Sequence, residues 1–180
     1  MGMRIIAGTK RGHKLCDFEG MDIRPTTDRV KESMFNLIQD FVPKSRVLDL
    51  FAGSGALSFE ALSRGAESAV CVDKDAKSVA VIKKNNEALG FDNVKIVHCE
   101  AMRFLSDTSE KFSVIFLDPP YNKGFIAPII EKIVELEILD FGGIIVLESD
   151  FSDEHGDFSG LGKIKQKKYG RSYVTVYKRG

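Results

Sequence analysis

The chain has 180 residues, of which 43% are hydrophobic and 29% are charged, and its formal net charge is zero. This length and balance predict one soluble globular domain with a sizeable core. The apolar runs are too short for a membrane-spanning helix, and the N-terminus lacks the apolar segment of a signal peptide. We therefore expect a cytoplasmic monomer that makes no contact with a membrane.

Cysteine and histidine spacing gives no indication of metal chemistry. The three cysteines form no CxxC pair, and the three histidines have no ligand spacing to one another. Cysteines placed singly within strand-like runs are typical of small buried hydrophobes in a reducing compartment. We therefore expect no metal site.

Charge is distributed unevenly along the chain. Residues 1–31 hold seven Lys and Arg against four acids, and residues 100–160 hold thirteen acids against four bases. Residues 161–180 hold seven bases and no acid. Two basic ends around an acidic middle indicate contact with a polyanion, and the alternative is a solvated surface with a basic tail.

The N-terminal region differs in composition from the rest of the chain. Residues 1–24 are rich in Arg, Lys and Gly, and we interpret them as a basic arm or hairpin outside the core sheet. The main domain then occupies residues 25–180. Its first helix has Thr26 or Thr27 as the N-cap, and its apolar spacing stops before Pro43.

Strands and helices alternate after this first helix. Predicted strands cover 46–51, 68–73, 94–99, 112–117 and 143–148. Predicted helices cover 54–64, 75–89, 101–106 and 125–138. This alternation predicts an α/β fold with a mainly parallel sheet and helices on both faces. Two further strand-like runs, 164–169 and 172–178, predict a C-terminal antiparallel hairpin that brings the sheet to seven strands.

The first predicted strand leads into a glycine turn. Val47 to Phe51 form an apolar run, Gly53-Ser-Gly55 follow, and a helical pattern begins at once. Glycines let the backbone approach a ligand closely, and the helix start offers free N–H groups. Asp73 ends the next strand, where a carboxylate accepts hydrogen bonds from ribose hydroxyls. This arrangement fits a dinucleotide as well as S-adenosylmethionine (SAM).

Two features favour SAM over a dinucleotide. Ser58 stands where the dinucleotide fingerprint has its third glycine. Asp49 lies inside the run ahead of the glycines, where a carboxylate can take the cationic amino group of SAM. The alternative is that Asp49 is a structural carboxylate that orders the turn.

The fourth predicted strand ends in Asp118-Pro-Pro-Tyr121. The exocyclic nitrogen of a nucleobase is a poor nucleophile because its lone pair is delocalised into the ring. The Asp118 carboxylate and the Pro119 carbonyl can grip its N–H bonds and aim the lone pair, while Pro120 fixes the backbone. Tyr121 supplies a face on which an extruded base can stack. This pattern therefore predicts a site that holds an amino group while its nitrogen accepts a methyl group.

Both motifs resemble those of known methyltransferases. Val-Leu-Asp-Leu-Phe-Ala-Gly-Ser-Gly resembles motif I of Rossmann-like SAM-dependent methyltransferases, and Asp-Pro-Pro-Tyr resembles motif IV of exocyclic amino methyltransferases. Together with Arg4-Ile-Ile-Ala-Gly, Arg24-Pro-Thr-Thr-Asp-Arg and Leu62-Ser-Arg-Gly-Ala66, they are similar in order to the bacterial family of 16S rRNA guanine-N2 methyltransferases. This resemblance implies a Rossmann-like fold, SAM as the cofactor, and 16S rRNA or an assembling small ribosomal subunit as the partner.

The resemblance also implies roles for individual residues. The expected catalytic residues are Asp118, Pro119, Pro120 and Tyr121. The expected cofactor-binding residues are Asp49, Phe51, Gly53, Gly55, Asp73, Lys74, Glu100, Ala101, Thr26 and Thr27. The expected RNA-binding residues are Arg4, Lys10, Arg11, Arg24, Arg29 and Arg171.

Two other functions remain open on the sequence. The same chemistry could act on another amino group, such as adenine N6 in DNA or a protein glutamine. A SAM- or NAD-binding RNA chaperone without catalysis is the second alternative. A DNA-modifying enzyme usually adds a recognition domain, and 180 residues leave no room for one, so single-stranded RNA loops are favoured.

Overall fold

The computed structural model describes residues 3–18, 27–120, 124–150 and 157–180. Within these ranges, seven strands form one sheet in the order β3-β2-β1-β4-β5-β7-β6. The strands are β1 (Arg46–Asp49), β2 (Ser68–Asp73), β3 (Val94–His98), β4 (Phe112–Leu117), β5 (Leu139–Asp150), β6 (Leu161–Tyr169) and β7 (Ser172–Arg179). The helices are α1 (Asp28–Leu37), α2 (Ala56–Ser63), α3 (Ala76–Leu89), α4 (Ala101–Asp107) and α5 (Ile126–Glu135).

The first five strands are parallel, and the last two are antiparallel. β1 pairs with both β2 and β4, and β4 pairs with β5, all in parallel. β7 then pairs antiparallel with β5 and with β6, which forms the sheet edge. The predicted α/β fold with a C-terminal antiparallel hairpin is therefore confirmed.

The strand order reverses between β1 and β4, which is the point where open α/β sheets bind ligands. Asp49 at the end of β1 pairs with Phe116 near the end of β4, and the Leu50 N–H donates to the Phe116 carbonyl at 3.4 Å. The two strand ends that carry the predicted motifs are therefore neighbours, although almost seventy residues separate them in the chain.

Both faces of the sheet are covered by helices. On one face, α1, α2 and α3 bury a cluster that includes Phe35, Phe59 and Phe116, and the rings of Phe35 and Phe116 lie 5.7 Å apart. On the other face, α4 and α5 bury a second cluster that includes Leu105 and Ile130. Continuous burial on both faces explains why the central strands are almost wholly apolar.

Residues 3–16 form a hairpin outside the sheet. Arg4 and Lys14 form an antiparallel bridge, and the Leu15 N–H donates to the Met3 carbonyl at 2.8 Å. The apolar side chains of this hairpin, among them Met3 and Ile5, are buried in the cluster beneath α1 and α2. Residues 1–24 were predicted to form a basic arm or hairpin, and the part described here, residues 3–16, is a hairpin. The predicted domain boundary at residues 24 and 25 lies outside the described residues.

The elements differ from prediction mainly around β5. The helix predicted over 125–138 ends at Glu135, because Glu137 adopts a left-handed conformation with φ of 51°. β5 begins at Leu139 rather than at residue 143, and its pairing with β4 shifts register after Phe112. The N-cap of α1 is Thr27, whose side-chain oxygen accepts the Val30 N–H at 3.3 Å. Thr27 is one of the two residues that were predicted for this cap.

Candidate active site

A cavity of about 350 Å³ opens at the carboxyl ends of β1 and β4. Its lining includes Gly53 from the turn after β1, Asp73 from the end of β2, and Asp118, Pro119 and Pro120 from the loop after β4. The predicted cofactor turn and the predicted acceptor loop therefore share one cavity. This juxtaposition is what a transfer between two bound molecules requires.

The glycine turn has the backbone geometry that its sequence suggests. Gly53 and Gly55 have φ of 58° and 81°, in the left-handed region that favours glycine. A Cβ atom at Gly55 would lie 2.5 Å from the ring of Phe59. Gly55 is the N-cap residue of α2 and does not line the cavity, whereas Gly53 does. Gly55 therefore shapes the turn, and Gly53 forms its surface.

Asp73 connects this turn to the next strand. Its Oδ2 accepts the Gly53 N–H at 2.9 Å, and its Oδ1 accepts the Asp75 N–H at 2.9 Å. A carboxylate has about four acceptor sites, so two remain for a ligand in the cavity. Asp73 is placed to hold the turn and to bind a hydroxyl-bearing ligand at the same time.

Asp49 lies behind the glycine turn and outside the cavity lining. Its side chain is buried, and Oδ2 accepts the Ser58 hydroxyl at 3.0 Å. Burial raises the pKa of Asp49 to about 7, and the Ser58 hydrogen bond opposes this rise. Oδ1 has no hydrogen-bond partner among the described residues. Of the two roles predicted for Asp49, this geometry fits the carboxylate that orders the turn.

Four other predicted cofactor residues contribute to the cavity wall: Phe51, Lys74, Glu100 and Ala101. Glu100 also caps α4, because its Oε2 accepts the Arg103 N–H at 3.1 Å. Thr27 caps α1 and is absent from the lining, so the structure does not bring it to the cavity. Thr26 lies outside the described residues.

The acceptor loop presents a polar group beside apolar surface. Asp118 is half-buried, Pro119 is buried and Pro120 is exposed, while Tyr121 lies outside the described residues. Phe125, just before α5, also lines the cavity and is 57% exposed. An exposed aromatic ring at the mouth of a cavity gives a planar ligand a surface for stacking.

The predicted RNA-binding residues are spread over the molecule. Lys10 and Arg11 lie at the C-terminal end of α2, where the Lys10 N–H donates to the Ser63 hydroxyl at 2.9 Å. An eight-residue helix separates them from the glycine turn by about 12 Å. Arg4 pairs with Asp28 at 3.2 Å on the surface. The other predicted residues are Arg29 and Arg171, which are exposed, and Arg24, which lies outside the described residues.

The N-terminal hairpin and the two residues after it supply cavity residues that the motifs do not indicate. Met3, Asp17 and Phe18 line the cavity. The buried Asn85 of α3 holds this segment, since its side chain accepts the Cys16 N–H at 2.6 Å and donates to the Cys16 carbonyl at 3.1 Å. It also donates to the Ser54 carbonyl at 3.0 Å. Asn85 shares the buried face of α3 with Ile82 and Leu89, and a polar residue at such a core-facing position is a sequence signal that could have suggested this link.

Over the residues that the structure describes, no group of three or more His, Cys, Asp or Glu could hold a metal ion. Burial raises the pKa of Cys71 to about 12, so its thiol stays protonated and unreactive.

None of the helices in the described ranges is long and apolar enough to cross a bilayer.

Comparison with known proteins finds relatives that match nearly the whole chain. A family model described as "Conserved hypothetical protein 95" matches residues 3–178. The Bacillus subtilis protein "Putative rRNA methyltransferase YlbH" is 39% identical over 182 residues, covering 98% of this chain and 99% of its own. "Ribosomal RNA small subunit methyltransferase D" of Escherichia coli K12 is 36% identical over 148 residues, covering 82% of this chain and 75% of its own.

A solved structure extends this similarity to three dimensions. The Escherichia coli protein "Putative methyltransferase yhhF" superposes with a TM-score of 0.91 at 33% identity, over 99% of this chain and 98% of that one. Sequence, fold and cavity thus agree with the resemblance found in the motifs. The chain belongs to the family described as Conserved hypothetical protein 95, which its match over residues 3–178 and its full-length relatives establish.

Proposed function

We propose that this protein is a SAM-dependent methyltransferase that modifies the exocyclic N2 amino group of a guanine in 16S rRNA. The main support is the single cavity that Gly53 and Asp73 share with Asp118, Pro119 and Pro120. Relatives that cover most of this chain are named rRNA methyltransferases, one of them for the small-subunit RNA.

The residues present fit SAM. Asp73 has acceptor capacity left for ribose hydroxyls, and Phe51 and Ala101 offer apolar wall for a purine. Lys74 and Glu100, which also line the cavity, would lie beside the bound cofactor. When bound, SAM supplies a methyl group already activated by a sulfonium, so the protein need only position the acceptor.

The acceptor loop performs the remaining chemistry. The Asp118 carboxylate and the Pro119 carbonyl accept the two N–H bonds of the guanine amino group. This grip draws the nitrogen towards a pyramidal geometry, so that its lone pair is available for the methyl carbon. With SAM bound, the N–C bond would form as the methyl–sulfur bond breaks and the neutral thioether leaves, and Asp118 would accept the proton that the nitrogen loses. Pro120 limits backbone motion, which keeps both acceptors in place.

Basic residues support RNA as the substrate. The exposed Arg29 and Arg171 lie at the two basic ends of a chain whose middle is acidic. Sequence-specific RNA recognition mostly targets unpaired loop bases, which enter a pocket without opening a duplex. We propose naked 16S rRNA or the assembling small subunit as the partner, a monomer as the active form, and the cytoplasm as its location.

Nucleoside analysis of 16S rRNA tests this proposal. RNA from cells that lack the gene should lose one N2-methylguanosine, and the purified protein with SAM should restore it in vitro. Recovery of N6-methyladenosine instead would contradict the guanine assignment. Tight binding of NAD without binding of SAM in calorimetry would contradict the cofactor assignment and favour a non-catalytic binding protein.

A further inference from the structure

The edge strand β6 is a lysine-rich surface that the cavity chemistry does not use. Residues 162–168 are all exposed, and four lysines lie within them: Lys163, Lys165, Lys167 and Lys168. The segment 161–180 contains no acidic residue. Lysines on an edge strand discourage strand-to-strand aggregation, which explains their presence in part. It does not explain Arg171, which lies in the turn after the strand.

Strand register relates this edge to the acceptor loop. β4 pairs with β5 up to Leu117, so Asp118 follows at the level of Glu148. Glu148 pairs with Val174 of β7, and Val174 pairs with Lys167 of β6. Lys167 therefore lies level with Asp118 at a distance of three strand spacings, or about 14 Å. A few nucleotides of extended single-stranded RNA cover that distance.

The turn between β6 and β7 projects from the same edge as the cavity. Tyr169 pairs with Ser172, and Ser172 pairs with Asp150 at the carboxyl end of β5. The intervening Gly170 and Arg171 thus extend beyond the ends of the parallel strands, where the cavity opens. Arg171 thus places a positive charge at the end of the sheet on which the cavity opens.

Aromatic rings lie among these cations. The Lys167 ammonium is 5.3 Å from the centre of the Tyr169 ring, and the Lys168 ammonium is 5.9 Å from the centre of the Tyr173 ring. A cation–π contact orders a lysine without cancelling its charge. Basic side chains interleaved with aromatic rings are the arrangement that binds single-stranded nucleic acid.

We propose that Lys167 and Arg171 form a phosphate-binding surface, here called the basic hairpin, along which RNA leaves the cavity. This inference rests on the proposed function, because it takes the occupant to be the strand that carries the target guanine. Lys10 and Arg11 lie at the opposite end of α2 from the glycine turn and are less well placed for that strand. The turn of the basic hairpin instead lies at the same end of the sheet as the cavity, with β5 and β7 between β6 and β4, the strand that carries the acceptor loop.

The test compares two double variants that each remove two positive charges. Lys167→Gln/Arg171→Gln alters the basic hairpin. Lys83→Gln/Lys84→Gln is the matched control, on exposed positions of α3, which packs against β2 and β3 at the opposite edge of the sheet. Binding of the full chain to a hairpin oligoribonucleotide with one loop guanine is measured from 0.05 to 0.5 M salt. Thermal unfolding of each variant confirms that the fold is retained.

Loss of two phosphate contacts should reduce the slope of log affinity against log salt by about 1.4. The same relation predicts affinity about tenfold weaker at 0.2 M salt for the basic-hairpin variant, with the control close to wild type. Equal slopes for the two double variants would overturn the proposal. So would a basic-hairpin variant that loses binding to anionic vesicles but keeps its RNA affinity. Methylation of the same RNA by wild type tests the proposed function separately, because it does not depend on this comparison.

Discussion

The Gly53 N–H donates to the Asp73 carboxylate at 2.9 Å, which ties the glycine turn to the neighbouring strand. The same carboxylate accepts the Asp75 N–H at the start of α3. One side chain thus fixes the position of two backbone segments that line the cavity or adjoin it. Asp73, which was predicted to bind a ribose, therefore also shapes the backbone around the cavity.

Asp73→Ala should therefore weaken SAM binding by about tenfold to hundredfold, since charged hydrogen bonds contribute roughly 1.5–3 kcal/mol each. Isothermal calorimetry measures the effect. Asp75→Ala is the control, because its side chain caps α3 through the Lys77 N–H and does not line the cavity. Loss of that cap should cost about 1 kcal/mol of stability and leave SAM affinity unchanged. Equal SAM affinities for the two variants would mean that Asp73 does not contact the cofactor.

Asp118→Ala should reduce turnover by at least about a hundredfold while leaving SAM affinity nearly intact, because positioning of the acceptor nitrogen is lost. Asp118→Asn should retain more activity, since an amide oxygen still accepts one N–H bond. Single-turnover rates and calorimetry separate the two effects. If SAM affinity falls as far as the rate does, Asp118 supports the cavity rather than the substrate.

Asp49 should make the stability depend on pH. Its pKa is about 7 in the fold against an ordinary value of 3.8, so the folded state binds the extra proton between these two values. The stabilisation that comes from binding this proton is complete below about pH 4 and is lost as the pH rises through 7. The free energy of unfolding falls by roughly 4 kcal/mol over this range.

Urea unfolding of wild type and Asp49→Asn at several pH values measures this effect. The free energy of unfolding of wild type should fall, relative to that of the variant, between pH 4 and pH 8. The variant has no titratable group at this position, so other groups cancel in the difference. Parallel curves would show that Asp49 titrates near its ordinary value and is better solvated than its burial indicates.

Much of the fold could be predicted because buried parallel strands leave a clear trace in sequence. β2 (Ser68–Asp73) and β4 (Phe112–Leu117) have the predicted bounds, since each is an apolar run that ends at a charged residue. β1 and β4, which carry the two motifs, pair with each other at the switch point where open α/β sheets bind ligands. Local pattern and global topology agree in these elements, as is typical of natural sequences.

The contacts between distant segments could not be predicted. Asn85 hydrogen-bonds to Cys16, 69 positions away, and so makes the N-terminal hairpin a wall of the cavity. Hydrophobic periodicity records which face of α3 is buried, but it does not record which segment covers it. The early start of β5 was missed for a similar reason, because Gly142 interrupts the apolar pattern with φ of 77°.

Phe125 should matter for the RNA rather than for the fold. It lines the cavity, yet its ring is 57% exposed, so truncation costs little buried area. Stacking of a base on an aromatic ring contributes about 1–3 kcal/mol, so Phe125→Ala should weaken RNA binding by about tenfold. Phe141→Ala is the matched control, because Phe141 is 81% exposed near the start of β5, away from the cavity. A fall in SAM affinity instead of RNA affinity would place Phe125 in the cofactor wall.

The buried carboxylate of Glu60 should be essential for stability. Its Oε1 accepts the Ala7 N–H at 3.1 Å and Arg64 Nε at 2.8 Å. Its Oε2 accepts the Ile6 N–H at 2.9 Å and lies 3.4 Å from Lys31 Nζ. Both Lys31 and Glu60 are almost fully buried, and burial lowers the pKa of Lys31. One carboxylate thus holds the N-terminal hairpin, α1 and α2 together.

Glu60→Gln should lower the free energy of unfolding by about 3–5 kcal/mol, because it leaves the Lys31 ammonium buried without its anion. Glu110→Gln is the surface control, since the pair that Glu110 forms with Lys95 is exposed on both sides. That change should cost less than about 1 kcal/mol. Lys31→Met combined with Glu60→Gln should recover part of the loss, because the fully buried ammonium is then removed and only the partly exposed Arg64 lacks its anion. If denaturant unfolding shows the double variant to be no more stable than Glu60→Gln, the cost lies in the backbone hydrogen bonds of the hairpin and not in the buried charge.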